Sequence, residues 1–305
     1  MCCPMSYLDH FHLAHEPFSN APDARFYFDS AQYQRTLRKL RFAVDSNKGL
    51  GIVVGPIGNG KTTLARRLLD QFPPNLYQSS LLIMVHSGVT PEWILTRIAS
   101  QMGVDQPQGD RLAVLRQLYD RLLEIDAEGR RAVILIDEAQ MLETRALMEE
   151  FRGLLNLEIP GKKLLNIIFF GLPELEENLR LDPPLAQRVA VRCSLSSLTA
   201  GDTAAYIDHR LRVAGAAGKR LFAADAIQAV HHFSGGVPRL INTLCDNCLF
   251  ESFSVGLDHV NESIALSVAE SLGLNEHPGE QYLPEDLDDG LEHIESMLDR
   301  LEFKS

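Results

Sequence analysis

The chain has 305 residues, 45% of them hydrophobic and 23% charged, which excludes a disordered polymer and allows two compact lobes. No apolar run is longer than Ala132–Ile136, far short of the roughly 20 residues a membrane-crossing helix needs, and Met1–Met5 lacks the order of a secretory signal, so the expected compartment is the cytoplasm. Net charge is −12, from 41 acidic against 29 basic residues, a balance that argues against tight non-specific binding to nucleic acid.

Early in the chain Arg35, Arg38, Lys39 and Arg41 cluster on one expected helix, either a local basic patch or a solvated face. Short apolar runs rich in β-branched or aromatic residues then predict strands at Leu50–Gly55, Leu81–Ser87, Arg131–Asp137, Leu165–Gly171 and Val189–Leu195. Helices are expected between them at Thr62–Gln71, Pro91–Met102, Arg111–Glu128, Thr144–Leu157 and Pro173–Leu179. Right-handed crossovers make this a three-layer α/β domain with a parallel five-stranded sheet.

The first strand runs into Gly55-Pro56-Ile57-Gly58-Asn59-Gly60-Lys61-Thr62, a full match to the phosphate-binding loop pattern, and Thr63 continues into the helix it opens. Glycines let backbone N–H groups close around phosphate oxygens, and the helix N-terminus adds a favourable field for the anion. Lys61 is expected to neutralise the β- and γ-phosphates, and the Thr62 hydroxyl to hold Mg2+. The strand Ala132–Ile136 delivers Asp137 at its end, where a carboxylate can bind Mg2+ through water. Glu138, one residue on, is placed to orient and polarise the attacking water. The two motifs together indicate a chain that binds a nucleoside triphosphate.

After Leu198 the pattern becomes purely helical. Thr199 is an expected N-cap for Ala200–Ala214, followed by Ala223–Phe233, a Gly235-Gly236-Val237-Pro238 break, Arg239–Ser252 and Val260–Ser271. Cys245 and Cys248 have metal-ligand spacing, but on a helix that spacing also places two ordinary core thiols on one face. Ten acidic and two basic residues lie between Glu276 and Ser305. There Leu287, Leu291, Ile294, Leu298 and Leu301 form a two-heptad seam on an amphipathic helix expected over Asp286–Leu301. Two heptads are too few to stand alone, so this helix is expected to dock on its own body or on a protein partner.

These features resemble the AAA+ ATPases and, more narrowly, the ExeA/GspA-type secretion ATPases in a short form. The matching stretches are Tyr7-Leu8 with Phe11, Glu16-Pro17-Phe18, Pro22-Asp23 with Arg25-Phe26, Asp137-Glu138-Ala139-Gln140 and Gly171 with Pro173-Glu174-Leu175. Tyr206-Ile207 with His209-Arg210-Leu211, and the run Phe233–Asn242, complete the resemblance. It implies a nucleotide-binding α/β domain over 1–198, a helical lid over 199–273 and an acidic tail over 274–305. It also implies Arg239 as a lid arginine reaching the γ-phosphate, and Arg188 as a finger acting on a neighbouring subunit's nucleotide. Leu172 stands where the family commonly carries a polar residue near the attacking water, which leaves Gln140 or Asn166 to compensate. The expected protein is an ATP- and Mg2+-dependent ATPase, forming a homo-oligomer with a hexamer favoured, that assembles or remodels an envelope-associated machine for secretion, pili or polysaccharide export. The alternative is a nucleotide-switched DNA-binding adaptor similar to transposition regulators.

Overall fold

The computed structural model describes residues 6–274 apart from Pro22 and Ala217. The expected tail helix Asp286–Leu301 and its seam lie outside the described residues. Five parallel strands form one sheet: β1 (Leu50–Val54), β2 (Tyr77–Ile83), β3 (Arg131–Asp137), β4 (Leu165–Gly171) and β5 (Val189–Ser194), in the order β2-β3-β4-β1-β5. β1 pairs Val54 with Gly171 of β4 and with Ser194 of β5, and β2 pairs Ile83 with Asp137 of β3. The C-terminal ends of the strands therefore share one edge of the sheet, where parallel α/β sheets place ligands.

Alternation along the central strands builds the two faces. Ile52, Ile134, Ile136, Ile167 and Phe169 point to one side, under helices Pro91–Gln101, Arg111–Ala127 and Arg145–Leu154. Val53, Val133, Leu135, Ile168 and Phe170 point to the other, under helices Ala31–Asp45 and Lys61–Leu69. Both faces are covered, so β1 and β4 are buried throughout and read as continuous apolar runs.

Strand β2 lies earlier than the expected Leu81–Ser87. It is an edge strand, so its partly exposed middle, Gln78-Ser79-Ser80, does not need to be apolar, and its ladder ends at Ile83. The other four strands and the helices fall within a few residues of expectation. A two-stranded hairpin, Glu158–Ile159 with Lys162–Lys163, carried no apolar signal and was not expected.

Helices Ala200–Val213, Ala224–Ser234, Pro238–Ser254 and Glu262–Ser271 enclose a second core. Thr199 caps the first of them by accepting the Asp202 N–H. Cys245 and Cys248 are both fully buried in this core, and burial pushes the Cys248 thiol up to about 12. The N-terminal segment of the expected 1–198 unit, before helix Ala31–Asp45, packs its Phe11, Leu13, Phe18 and Phe26 in the helical core.

The physical reason is a buried arginine. Arg210 donates to the carbonyls of Pro17 and Ser19, to the Tyr206 hydroxyl at 2.7 Å and to Asn242 Oδ1 at 3.1 Å. Its guanidinium also lies 5.0 Å from the Phe26 ring centroid. Asn242 Nδ2 closes the network by donating to Asn20 Oδ1 at 3.0 Å. The N-terminal strap is thus bonded to the helical region before it crosses to the sheet.

Candidate functional site

The loop Gly55–Gly60 leaves β1 and turns into helix Lys61–Leu69 at the edge where the strands end. Its glycines are required by what surrounds them. A Cβ on Gly58 would lie 2.8 Å from Val237 Cγ1, and one on Gly60 would lie 2.5 Å from the Tyr33 hydroxyl; both residues hold positive φ. Tyr33 donates to the Asn59 carbonyl at 2.8 Å, fixing the loop from helix Ala31–Asp45. The helical region meets the loop from the opposite side, through the Arg239 N–H on the Gly58 carbonyl at 3.3 Å.

Lys61 is buried and donates to the carbonyls of Gly55 at 2.9 Å and Pro56 at 3.0 Å. Burial pushes its pKa down, against the opposing pull of Glu138, then Asp137, then Glu174. Asp137 is 0% exposed at the end of β3. Burial pushes its carboxyl up, and the neighbouring Thr62 hydroxyl pulls the other way. Two groups here are buried without partners: Asp137 Oδ2, and both side-chain polar atoms of Asn59. Among the described residues, Asp137 Oδ2 is the only carboxylate oxygen in that condition. A buried acid and a hydroxyl side by side are hard oxygen donors of the kind Mg2+ takes, and the open Oδ2 leaves room for that charge. The residues fit the ion.

Glu138 follows with φ 53°, a left-handed backbone that few non-glycine residues adopt. That turn takes its side chain out of line with the strand. Gln140 Nε2 donates to Glu138 Oε2 at 2.7 Å, while Gln140 Oε1 accepts the Leu172 N–H at 3.1 Å. Asn178 Nδ2 holds the Gln140 carbonyl at 2.7 Å. Of the two residues expected to compensate for Leu172, Gln140 is therefore the one at the site. Asn166 sits at the far end of β4, bonded to the Gly49 N–H and the Ala132 carbonyl.

The structure brings together Lys61, Thr62, Asp137 and Glu138 around the loop Gly55, Pro56, Ile57, Gly58, Asn59 and Gly60, with exposed Arg239 at its rim. Thr63 faces solvent on the helix. Arg188 does not join them within one chain: it donates to Asn156 Oδ1 and to the Arg152 carbonyl at the end of helix Arg145–Leu154. Sequence reasoning missed Tyr33, which carries no local signal, and Glu174, whose charge acts on Lys61 from the start of helix Glu174–Leu179.

Residues 44–179 match the model of an AAA domain. The chain is 35% identical over 274 residues to General secretion pathway protein A of Aeromonas hydrophila, covering 88% of this chain and 49% of that protein. It is 25% identical over 174 residues to an uncharacterized HTH-type transcriptional regulator of Methanocaldococcus jannaschii, covering 54% of this chain and 41% of the other. The chain thus spans about half the length of the curated relatives it matches. Among solved structures, the ORC2 protein of Aeropyrum pernix superposes with TM-score 0.63 at 14% identity, covering 84% of this chain and 71% of the other. RuvB of Thermotoga maritima gives 0.54 at 17%, covering 86% and 76%. At those identities the likeness is one of fold.

Proposed function

The chain belongs to the AAA+ P-loop ATPases of the ExeA/GspA type, and from that premise we propose that it binds ATP with Mg2+ on the loop Gly55–Thr62 and hydrolyses it. The observation that carries this reading is the convergence of buried Lys61 and Asp137 with partly buried Thr62 and Glu138 at one edge of the sheet. Lys61 would trade its two loop carbonyls for the β- and γ-phosphates. Thr62 and Asp137 would hold Mg2+, which supplies positive charge against the charge developing on the phosphoryl oxygens. Glu138 would polarise the attacking water as general base.

Arg239 would reach the γ-phosphate from the helical region, and Arg188 would do so from a neighbouring subunit. The proposed assembly is a homo-oligomer, with a hexamer favoured, serving an envelope-associated machine; the relative named for the general secretion pathway supports that direction. The acidic segment after Glu276 is the proposed contact for a protein partner.

The direct test is Glu138→Gln, which keeps size and removes the charge. It is expected to bind ATP like the parent while turnover falls by about 100-fold or more; parent-like turnover would move the catalytic role elsewhere. Subunit exchange tests Arg188. Arg188→Ala and Glu138→Gln proteins should each be nearly inactive, and mixing them should restore part of the activity by pairing an intact Arg188 with an intact Glu138. Co-assembly without recovery would remove Arg188 from the site.

A second reading, a DNA-binding adaptor, is favoured by one observation. Arg35, Arg38 and Lys39 are exposed along a single stripe of helix Ala31–Asp45, beside exposed Arg66 and Arg67 on the next helix. Stimulation of ATP turnover by duplex DNA at low salt would support it.

A further inference from the structure

We propose that Gln140 is a positioning residue for hydrolysis, acting through Glu138 and tying that carboxylate to the backbone at Leu172. The inference rests on the ATPase reading above and adds what orients the base.

A glutamate one residue past a strand end has three free side-chain torsions, and fixing it takes a partner with a fixed origin of its own. Gln140 meets that requirement. It is buried, on a single 3-10 turn, Ala139–Met141, directly after the left-handed Glu138. Its carbonyl is held by Asn178, and its amide is held at the oxygen end by the Leu172 N–H. An amide anchored at its oxygen presents its N–H in one direction, and that direction is Glu138 Oε2. The space is closed as well: a Cβ on Gly171 would lie 3.1 Å from Gln140 Oε1. The amide therefore has little room to swing while the strand end stays in place.

The orientation it selects faces the loop. Of the charges opposing the burial of Lys61, Glu138 acts most strongly, ahead of Asp137. Among the described residues Gln140 makes the only hydrogen bond to the Glu138 carboxylate, through Oε2, which leaves Oε1 to accept from water. A side chain at position 172 is not needed for this link, because the donor is the backbone N–H. The apolar Leu172 is thereby compatible with a held base. The same link joins the end of β3 to the end of β4, so a shift of either strand end is transmitted to the carboxylate.

Two substitutions in the full chain test this. Gln140→Met keeps the volume and loses both side-chain bonds. It should lower kcat by about 10–100-fold, with KM and the Kd for a fluorescent ATP analogue within about twofold of the parent and a melting temperature close to it. Placed on Glu138→Gln, it should add little further loss in single-turnover rates, since two residues acting as a unit are not additive. Gln140→Glu tests the proton donor. Near neutral pH its carboxylate repels Glu138, whereas on acidification the protonated form donates an O–H where the amide donated an N–H, so its kcat relative to the parent should rise as pH falls.

Parent-like kcat in Gln140→Met would overturn the inference. So would an equal loss in the Glu138→Gln background, or a Gln140→Glu deficit that stays flat with pH. If the parent hydrolyses no ATP, or Glu138→Gln turns over like the parent, the underlying ATPase reading fails instead, and Gln140 has no base to position.

Discussion

Two of the buried polar clusters among the described residues, one around Arg210 and one around the loop Gly55–Thr62, are satisfied to different degrees. Around Arg210 each guanidinium nitrogen finds an acceptor. The guanidinium is bonded to Pro17, Ser19, Tyr206 and Asn242, and Asn242 is bonded in turn to Asn20. Around the loop Gly55–Thr62, Asn59 and Asp137 Oδ2 are buried without partners, Lys61 is held only by carbonyls, and Glu138 is bent into a left-handed backbone. A satisfied network stabilises a fold, whereas an unsatisfied one costs free energy that a ligand can return. The loop is thus poised for a ligand that supplies the missing partners, whereas the Arg210 network acts as a joint.

The largest expected effect falls on the binding side. Lys61→Ala removes the one buried cation of the loop and should weaken ATP binding by about 100-fold or more, the loss expected when one partner of a buried charged contact is truncated. A calorimetric titration checks it, and parent-like affinity would mean the phosphates lie elsewhere.

Arg210→Met inverts that pattern. It strands the carbonyls of Pro17 and Ser19, while the Tyr206 hydroxyl keeps its bond to Asn242 Oδ1 at 2.9 Å, so urea unfolding should show a loss of about 3 kcal/mol. A loss below about 1 kcal/mol would show that water replaces the guanidinium, and the strap would then not depend on it.

How far the sequence reveals each region follows from how local its physics is. Strands β3 and β4 match their expected bounds because both faces are buried and no polar residue interrupts the signal, apart from Asn166. The loop is legible for the same reason: turn, glycine and helix start are specified by adjacent residues. Strand β2 starts ahead of its apolar run because an edge tolerates Gln78–Ser80. The links Tyr33 to Asn59 and Gln140 to Leu172 join residues far apart in the chain, which periodicity does not reach. In the sequence Arg210 stands out only as part of a resemblance. Its burial in a polar network, and the strap it holds, needed the fold.

Asp137 lies on the boundary between these two kinds of site, and substituting it gives the smallest and sharpest test. Burial, reinforced by Glu138 alongside, pushes its carboxyl above the ordinary range, and the Thr62 hydroxyl offsets part of that. The folded chain therefore holds this proton more tightly than the unfolded chain does. Stability of the ligand-free protein falls as pH rises from the unfolded carboxylate range near about 4 through the raised value, and stays lower above it. Asp137→Asn removes the buried charge while keeping an oxygen to accept from the Glu138 N–H, a bond of 3.1 Å in the parent. Without nucleotide at pH 7 the variant should melt higher than the parent, by about 2–4 °C for each kcal/mol of penalty removed, and the gap should close as pH approaches 4. Adding ATP and Mg2+ should reverse the order, because only the parent gains binding free energy on this side chain. A variant that melts at or below the parent without nucleotide at pH 7 would show that the unpartnered oxygen is not a stored cost, and the distinction between joint and binding site would lose its energetic basis.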